Sequence, residues 1–420
     1  MWFALKTAAI FRVLRACARA SAVGITALMF AQSVPPADLP IEAWLNGPER
    51  HDIPWQVAIE PGSLTYQQRH VVQVRTTYPV SKLLKAEIAP SDIHVIARFA
   101  TEDGRWLPGQ GYSRVQLPAT GSVPGTIDSF ISVYLRPGRY KFALMAFDSL
   151  HHNGNLQRGS FEVRGEKDDP FPNMDADLPS IDYPSPIAGP GDVDPTSIGH
   201  SWALGHGILR LPVANSHPVQ LDVVVNLSLN ALDEGFRDQT GAAFLMQVSN
   251  VLTQLDLRQG CVRFSAIDIL RRQTLALGVD GPHVDWGQLE ATLEKNDPFT
   301  IDATDLAGRK TAPARFVEFL QQATTSADHC DAQGQPMRHV LIVLGEEFLF
   351  PPKTEKATID SRTLPLTRCY YLERSLGQAR RADDISNLLK PLQPERIAFV
   401  RPIEFRKALA RIVADLERSN

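Results

Sequence analysis

The stretch Val219 to Leu227 is an almost unbroken apolar and β-branched run, and a strand covered on both faces satisfies such a pattern. Covering it takes helices, and the chain around it supplies them. Phe244, Leu245, Val248, Val251, Leu252 and Leu255 form one apolar stripe at helical spacing. Beyond it, Cys261 to Leu270 and Thr274 to Leu277 read as strands, Val284 to Leu293 and Ala314 to Gln322 as helices, and His339 to Leu344 as a strand. Cys369 to Leu372, Asp384 to Leu389 and Ile397 to Val400 continue as strand, helix and strand. A terminal helix runs from Pro402 to Leu416, with proline suited to its first turn. Alternation of this kind predicts an α/β doubly wound domain over residues 208–420, with its ligand-facing loops at the carboxyl ends of the strands.

Upstream the period changes. Between Ile53 and Val163 apolar and polar residues alternate in short segments, among them Trp55 to Ile59, Ile93 to Phe99, Phe130 to Leu135 and Tyr140 to Met145, bounded by Pro-Gly, Asp-Gly and Asn-Gly pairs. No helix of useful length fits, so residues 50–165 are expected to form an all-β, immunoglobulin-like sandwich as the N-terminal domain. Leu135-Arg136-Pro137-Gly138-Arg139-Tyr140 places a Pro-Gly turn before a strand-opening tyrosine, in the manner of a tyrosine corner or of an ordinary hairpin. Residues 166–207 are rich in Asp and Pro without periodicity, which suits a linker or an extended strap, and their length favours the strap.

Residues 1–33 stand apart. Lys6, Arg12, Arg15 and Arg19, with no acidic residue among them, lead into the apolar run Ala20 to Ala31, and Ala31-Gln32-Ser33 offers small residues for cleavage after Ser33. This is the pattern of a secretory signal peptide; an uncleaved anchor shares it but needs a longer apolar run. Of the 43 basic residues this leader holds four, leaving 39 against 47 acidic ones. A mildly acidic chain is not expected to bind nucleic acid through phosphate neutralisation, and no later segment is apolar enough to span a membrane. After cleavage Cys261, Cys330 and Cys369 remain. An oxidising compartment permits one disulfide, and Cys330 and Cys369, flanking consecutive strands, are the expected pair; their spacings fit no zinc pattern.

Four passages carry a family likeness: Leu209-Arg210-Leu211-Pro212-Val213 leading into Leu221 to Ser228, the amphipathic helix after it, Arg338 to Leu344, and the strand and helix from Ile397. Together they resemble a von Willebrand factor A-type domain, Rossmann-like in fold. The whole arrangement is similar to the secreted VWFA-related proteins of acidobacteria. Family members that hold a divalent cation carry Asp-x-Ser-x-Ser at the end of the first strand, with a threonine and an aspartate from two further loops. The matching residues here are Asn226, Ser228 and Asn230, and Glu346 stands with Glu347 where the family has Thr-Asp-Gly. Thr300 or Thr304, near Asp302 and Asp305, would serve as the threonine loop. The resemblance implies a metal-ion-dependent adhesion site. Asn226 in place of a carboxylate implies a degenerate one without metal, because Mg²⁺ gives up its waters reluctantly. No cofactor is therefore expected; in the competing expectation Glu346, with Asp302 or Asp305, restores a Mg²⁺ or Ca²⁺ site.

Other motifs carry less. Leu117-Pro118-Ala119-Thr120-Gly121 matches the sortase pentapeptide but lies mid-chain, His151-His152 suits a hairpin tip, and His200 and His206 have no helix to align them. No nucleophile elbow, phosphate loop, dinucleotide fingerprint or His-Glu-x-x-His occurs. Phe348-Leu349-Phe350-Pro351-Pro352 either exposes aromatic surface beside the strand ends or folds back onto a helix. The expectation is a secreted or periplasmic, non-enzymatic protein that binds an unknown protein or envelope partner. The alternative is a divalent-metal-dependent periplasmic hydrolase.

Overall fold

The computed structural model describes residue 39 and residues 41–85, 92–116, 125–150, 152–183, 209–228, 239–295, 309–325, 330, 337–346, 348–350, 354–364, 366–375 and 383–418. The chain divides into two compact units. One takes the described chain up to Glu60, Gln73–Ser132 and Arg139–Phe161; the other takes Pro61–Val72, Val133–Gly138 and the described chain from Glu162 onward. The expected leader, the pentapeptide, His151, His200 and His206 lie outside the described residues.

The N-terminal part runs through α1 (Ile41–Leu45), β1 (Arg50–His51), β2 (Gln56–Leu64), β3 (His70–Pro79), α2 (Val80–Lys85), β4 (Asp92–Thr101), β5 (Gly111–Gln116), β6 (Thr126–Leu135), β7 (Gly138–Asp148) and β8 (Gly154–Val163). One sheet has the order β1-β8-β7-β4-β5, antiparallel where β4 meets β5 and β7 and where β1 meets β8. Alternate residues of β3 are buried, as a strand with one covered face requires. Leu45 of α1 packs with Ile96, Tyr112, Ala143, Met145 and Leu156. Tyr140, the third residue of β7, stacks on Phe161 at 5.8 Å.

In the second unit, β9 (Ile181–Asp182) pairs with Tyr134 and Leu135 of β6, extending a sheet of order β2-β3-β6-β9. The described part of the Asp/Pro-rich stretch behaves as a strap: Met174 and Leu178 are buried in the core of this unit, and Asp182 forms a buried ion pair with Arg69. β10 (Leu211–Val213) pairs in parallel with β12 (Leu255–Leu257). The largest sheet contains β11 (Val219–Asn226), β13 (Gly260–Asp268), β14 (Gln273–Asp280), β15 (Arg338–Glu346), β16 (Arg368–Arg374) and β17 (Glu395–Phe399), in the order β14-β13-β11-β15-β16-β17. Its neighbours are parallel except β13 and β14. All of β11 is buried. Its odd-numbered residues share a core with α3 (Gln239–Thr253), α4 (Trp286–Lys295) and α7 (Pro402–Glu417). Val224 on the opposite face shares one with α5 (Ala312–Thr325) and α6 (Asp384–Leu389).

The expected fold class needs correction. The described residues are 43% strand and 26% helix, with their strands shared among four sheets, so this is a strand-dominated protein of several sheets rather than an α/β doubly wound A-type domain beside a separate sandwich. The physical reason is that class depends on how strands are distributed among sheets, and local periodicity does not record that. The hairpin tip between β2 and β3, which the domain limits drawn from sequence left in the first domain, is built into the second unit instead. There Tyr66 packs edge-on to Phe244 at 4.3 Å and donates its hydroxyl to the Val400 carbonyl.

The cysteine pairing also needs correction. The disulfide joins Cys261 to Cys330, with Cα atoms 5.6 Å apart, and Cys369 is free and buried. Cys369 lies within β16 and turns into the core under α5 and α6, three strands across the sheet from the β13 strand that carries Cys261. Burial pushes its thiol up to about 12.

Candidate functional site

At the carboxyl end of β11 the side-chain carbonyl of Asn226 accepts from Ser228 N at 3.1 Å and Ser228 Oγ at 2.7 Å. An asparagine that binds the backbone two residues on turns the chain at a strand end. On the neighbouring strand, Asp268 ends β13. Its Oδ1 lies 2.9 Å from Ser228 Oγ and accepts from Arg271 N at 3.1 Å, while Arg271 Nη1 reaches Oδ2 at 3.2 Å. Ser228 Oγ in turn accepts from Leu270 N at 3.2 Å. Asn226, Ser228, Asp268 and Arg271 therefore form a hydrogen-bonded chain over the ends of two parallel strands, with Asp268 only 2% exposed.

Of the residues singled out from sequence, Asn226 and Ser228 meet here, and Asn230, Thr300, Asp302, Thr304 and Asp305 lie outside the described residues. Glu346 does not join them. The register pairs Val225 with Leu344, and both residues belong to the core under α3 and α7. Side chains alternate along a strand, so Glu346 leaves on that face and Asn226 on the other. Glu346 forms an ion pair with Arg374 Nη1 at 2.6 Å, and the Arg374 guanidinium sits over the Phe244 ring, 4.4 Å from its centroid. Among the described residues, no group of three or more His, Cys, Asp or Glu is arranged to hold a metal ion. The charge of Glu346 is thus met by a guanidinium across the sheet from Asn226.

Asp268 was missed by sequence reasoning. Its signal was an acid closing an otherwise apolar strand and followed by Arg271 and Arg272. The aromatic loop also differs from the exposed alternative. Phe348 is 3% exposed and meets Phe350 edge-on at 5.4 Å. The loop is clipped to the start of α6: Asp384 N donates to Phe348 O at 2.8 Å and Phe350 N to Asp384 Oδ2 at 2.8 Å.

A second polar group lies toward the amino end of the same sheet. Gln220 Nε2 donates to Asp222 Oδ2 at 3.0 Å, Arg263 Nε stands 3.5 Å from Asp222 Oδ1, and Arg263 Nη2 donates to Ala323 O at 2.9 Å. Burial pushes the Asp222 carboxyl up to about 6, against the opposing pull of Arg263 and Gln220. Burial, followed by the charge of Arg263, pulls the nearby His339 down. With Asp222 2% and Arg263 3% exposed, this group is sealed inside the fold and offers no approach to a substrate.

No family model matches the chain, and no curated protein matches it. Among solved structures it is similar to a glycosyl hydrolase family 2 member from Bacteroides cellulosilyticus DSM 14838, at 11% identity and TM-score 0.19, over 82% of this chain and 41% of that one. A Parabacteroides merdae beta-glucuronidase follows, at 9% identity and TM-score 0.18, over 76% of this chain and 33% of that one. The chain spans less than half the length of either. Similarity at this level establishes neither a shared fold nor a shared activity.

Proposed function

We propose that this is an exported, non-enzymatic protein that recognises a protein or cell-envelope partner, with the edge around Asn226, Ser228, Asp268 and Arg271 as its candidate contact face. The observation that carries this reading is that the carboxylates at the sheet edge are held by cationic partners: Asp268 by Arg271, Glu346 by Arg374, and Glu373 by a two-pronged bond from Arg396 at 2.6 Å on each arm. A carboxylate committed to a guanidinium is a poor ligand for a divalent cation and a poor general base. Arg271, with a side chain 20% exposed, keeps a charged edge toward solvent for a partner to read. The Cys261–Cys330 bridge supports export, because such bonds persist in oxidising compartments. Among the described residues no helix is long and apolar enough to cross a membrane.

The test is binding of the purified chain to isolated envelope material, with and without EDTA, beside an Arg271→Glu variant. Binding that survives EDTA and falls at least tenfold in the variant is expected. A hydrolytic activity abolished both by EDTA and by Glu346→Ala would overturn the proposal in favour of the metal-dependent hydrolase.

A further inference from the structure

The hairpin tip from Thr65 to His70 is tied at several points: Arg69 pairs with Asp182, the Tyr66 ring meets Phe244, and Gln68 is clasped by α7. On α7, Arg406 Nε donates to Gln68 Oε1 and its Nη2 to the Gln68 carbonyl, each at 2.9 Å, and its Nη1 pairs with Asp169 of the strap. Tyr66 adds its bond to the Val400 carbonyl. Gln68 is fully buried and holds a left-handed backbone, φ +62°. Beside this clasp lies His70, 3% exposed, with neither ring nitrogen hydrogen-bonded among the described residues. A buried imidazole without partners is tolerable only while neutral, since an imidazolium would bring two unmet N–H donors and a charge into the interior.

We propose that His70 makes the hairpin tip an acid-released latch: one proton taken from solvent onto its ring, beside the Arg406 guanidinium, frees Thr65 to His70 from α7. The charged groups facing His70 are Arg406 from α7 and Glu166, Asp169 and Asp175 from the strap. Burial is the strongest influence and holds the ring below its ordinary range, Arg406 acts in the same direction, and the three acids oppose both. Asp169 is already committed to Arg406. Protonation sets a second positive charge against the one that ties down Gln68, and opening the tip hydrates both. Because the folded ring titrates lower than the unfolded one, closure is at full strength above the ordinary histidine range. It weakens as pH falls through that range, by about tenfold per pH unit for a single proton taken up on opening. The latch stands independently of the recognition role proposed above.

Amide hydrogen exchange on the full chain, corrected for the intrinsic pH dependence, tests this between pH 7.5 and pH 5. Below the ordinary histidine range Thr65 to Val72 and the first turn of α7 should lose protection together, by up to about tenfold per pH unit, while β11 and β15 keep theirs. His70→Gln and His70→Phe should each hold the tip closed to pH 5. The proposal is overturned if the wild-type tip keeps its protection at pH 5, if it opens only together with β11 and β15, or if either folded variant opens as the wild type does.

Discussion

Asp268 and Asp222 are two buried carboxylates on adjacent strands of one sheet, and their surroundings give them opposite consequences for stability. Asp268 receives donors from Ser228, the Arg271 backbone and the Arg271 guanidinium. Asp268→Asn keeps the shape but removes the charge those donors serve, and it should cost about 1–3 kcal/mol, read from urea unfolding at pH 7. An unchanged midpoint would show that these bonds around Ser228 contribute nothing to stability. Asp222 is raised to about 6 by burial. A carboxyl whose folded value lies above its unfolded value binds its proton more tightly when folded, so the penalty is complete above pH 6 and is relieved as pH falls toward 4. Asp222→Asn mimics the protonated form. It should stabilise the protein above pH 6, on the order of 2 kcal/mol, with the gain shrinking to nothing near pH 4. Unfolding curves for both proteins at pH 4, 6 and 8 check the sign, and a constant gain at all three would refute it.

At the scale of elements, the start of β13 depends on one residue. Gly260 pairs with Val219 in the β11–β13 register. It has φ +112°, and a Cβ built there would stand 1.9 Å from the Val219 carbonyl oxygen. No side chain fits that space, and the backbone conformation is itself strained for any other residue. Gly260→Ala should lower stability by more than about 2 kcal/mol, with loss of hydrogen-exchange protection starting at β11 and β13. Full wild-type stability would mean that the two strands part more easily than this register implies. The strap illustrates the reverse case, an element with no periodic pattern that is ordered by tertiary bonds. Met174 and Leu178 enter the core, successive turns close at Phe171, Asn173 and Asp175, and the ion pair of Asp182 with Arg69 has both side chains 6% exposed.

For the whole molecule, the Cys261–Cys330 bridge links the start of β13 to the segment after α5 across a separation of 69 residues. Reducing it should cost about 2–4 kcal/mol, seen as a lower melting temperature in dithiothreitol, and peptide mapping of the unreduced protein should recover Cys261 linked to Cys330. A Cys330–Cys369 peptide would reject the arrangement. The positions of the longer strands and helices after residue 209 were legible because alternation and helical spacing are local properties, whereas the short strands β10 and β12 were not. The run Val219 to Leu227 and the stripe from Phe244 to Leu252 declare themselves without any partner, whereas Leu255, read with that stripe, opens β12. Asn226 and Ser228 could be picked out for the same reason, as polar groups closing an apolar strand. The association of Glu346 with them could not, since it turns on whether Val225 or Asn226 stands level with Leu344, and a slip of one residue changes the face. The same holds for Asp268, for the cysteine partner and for the division of strands into four sheets. Residue order by itself determined whether each longer segment is strand or helix, because its side chains choose between two repeats. Tertiary structure alone decided which segments meet, in what register and on which face, because those choices rest on contacts between residues far apart in the chain.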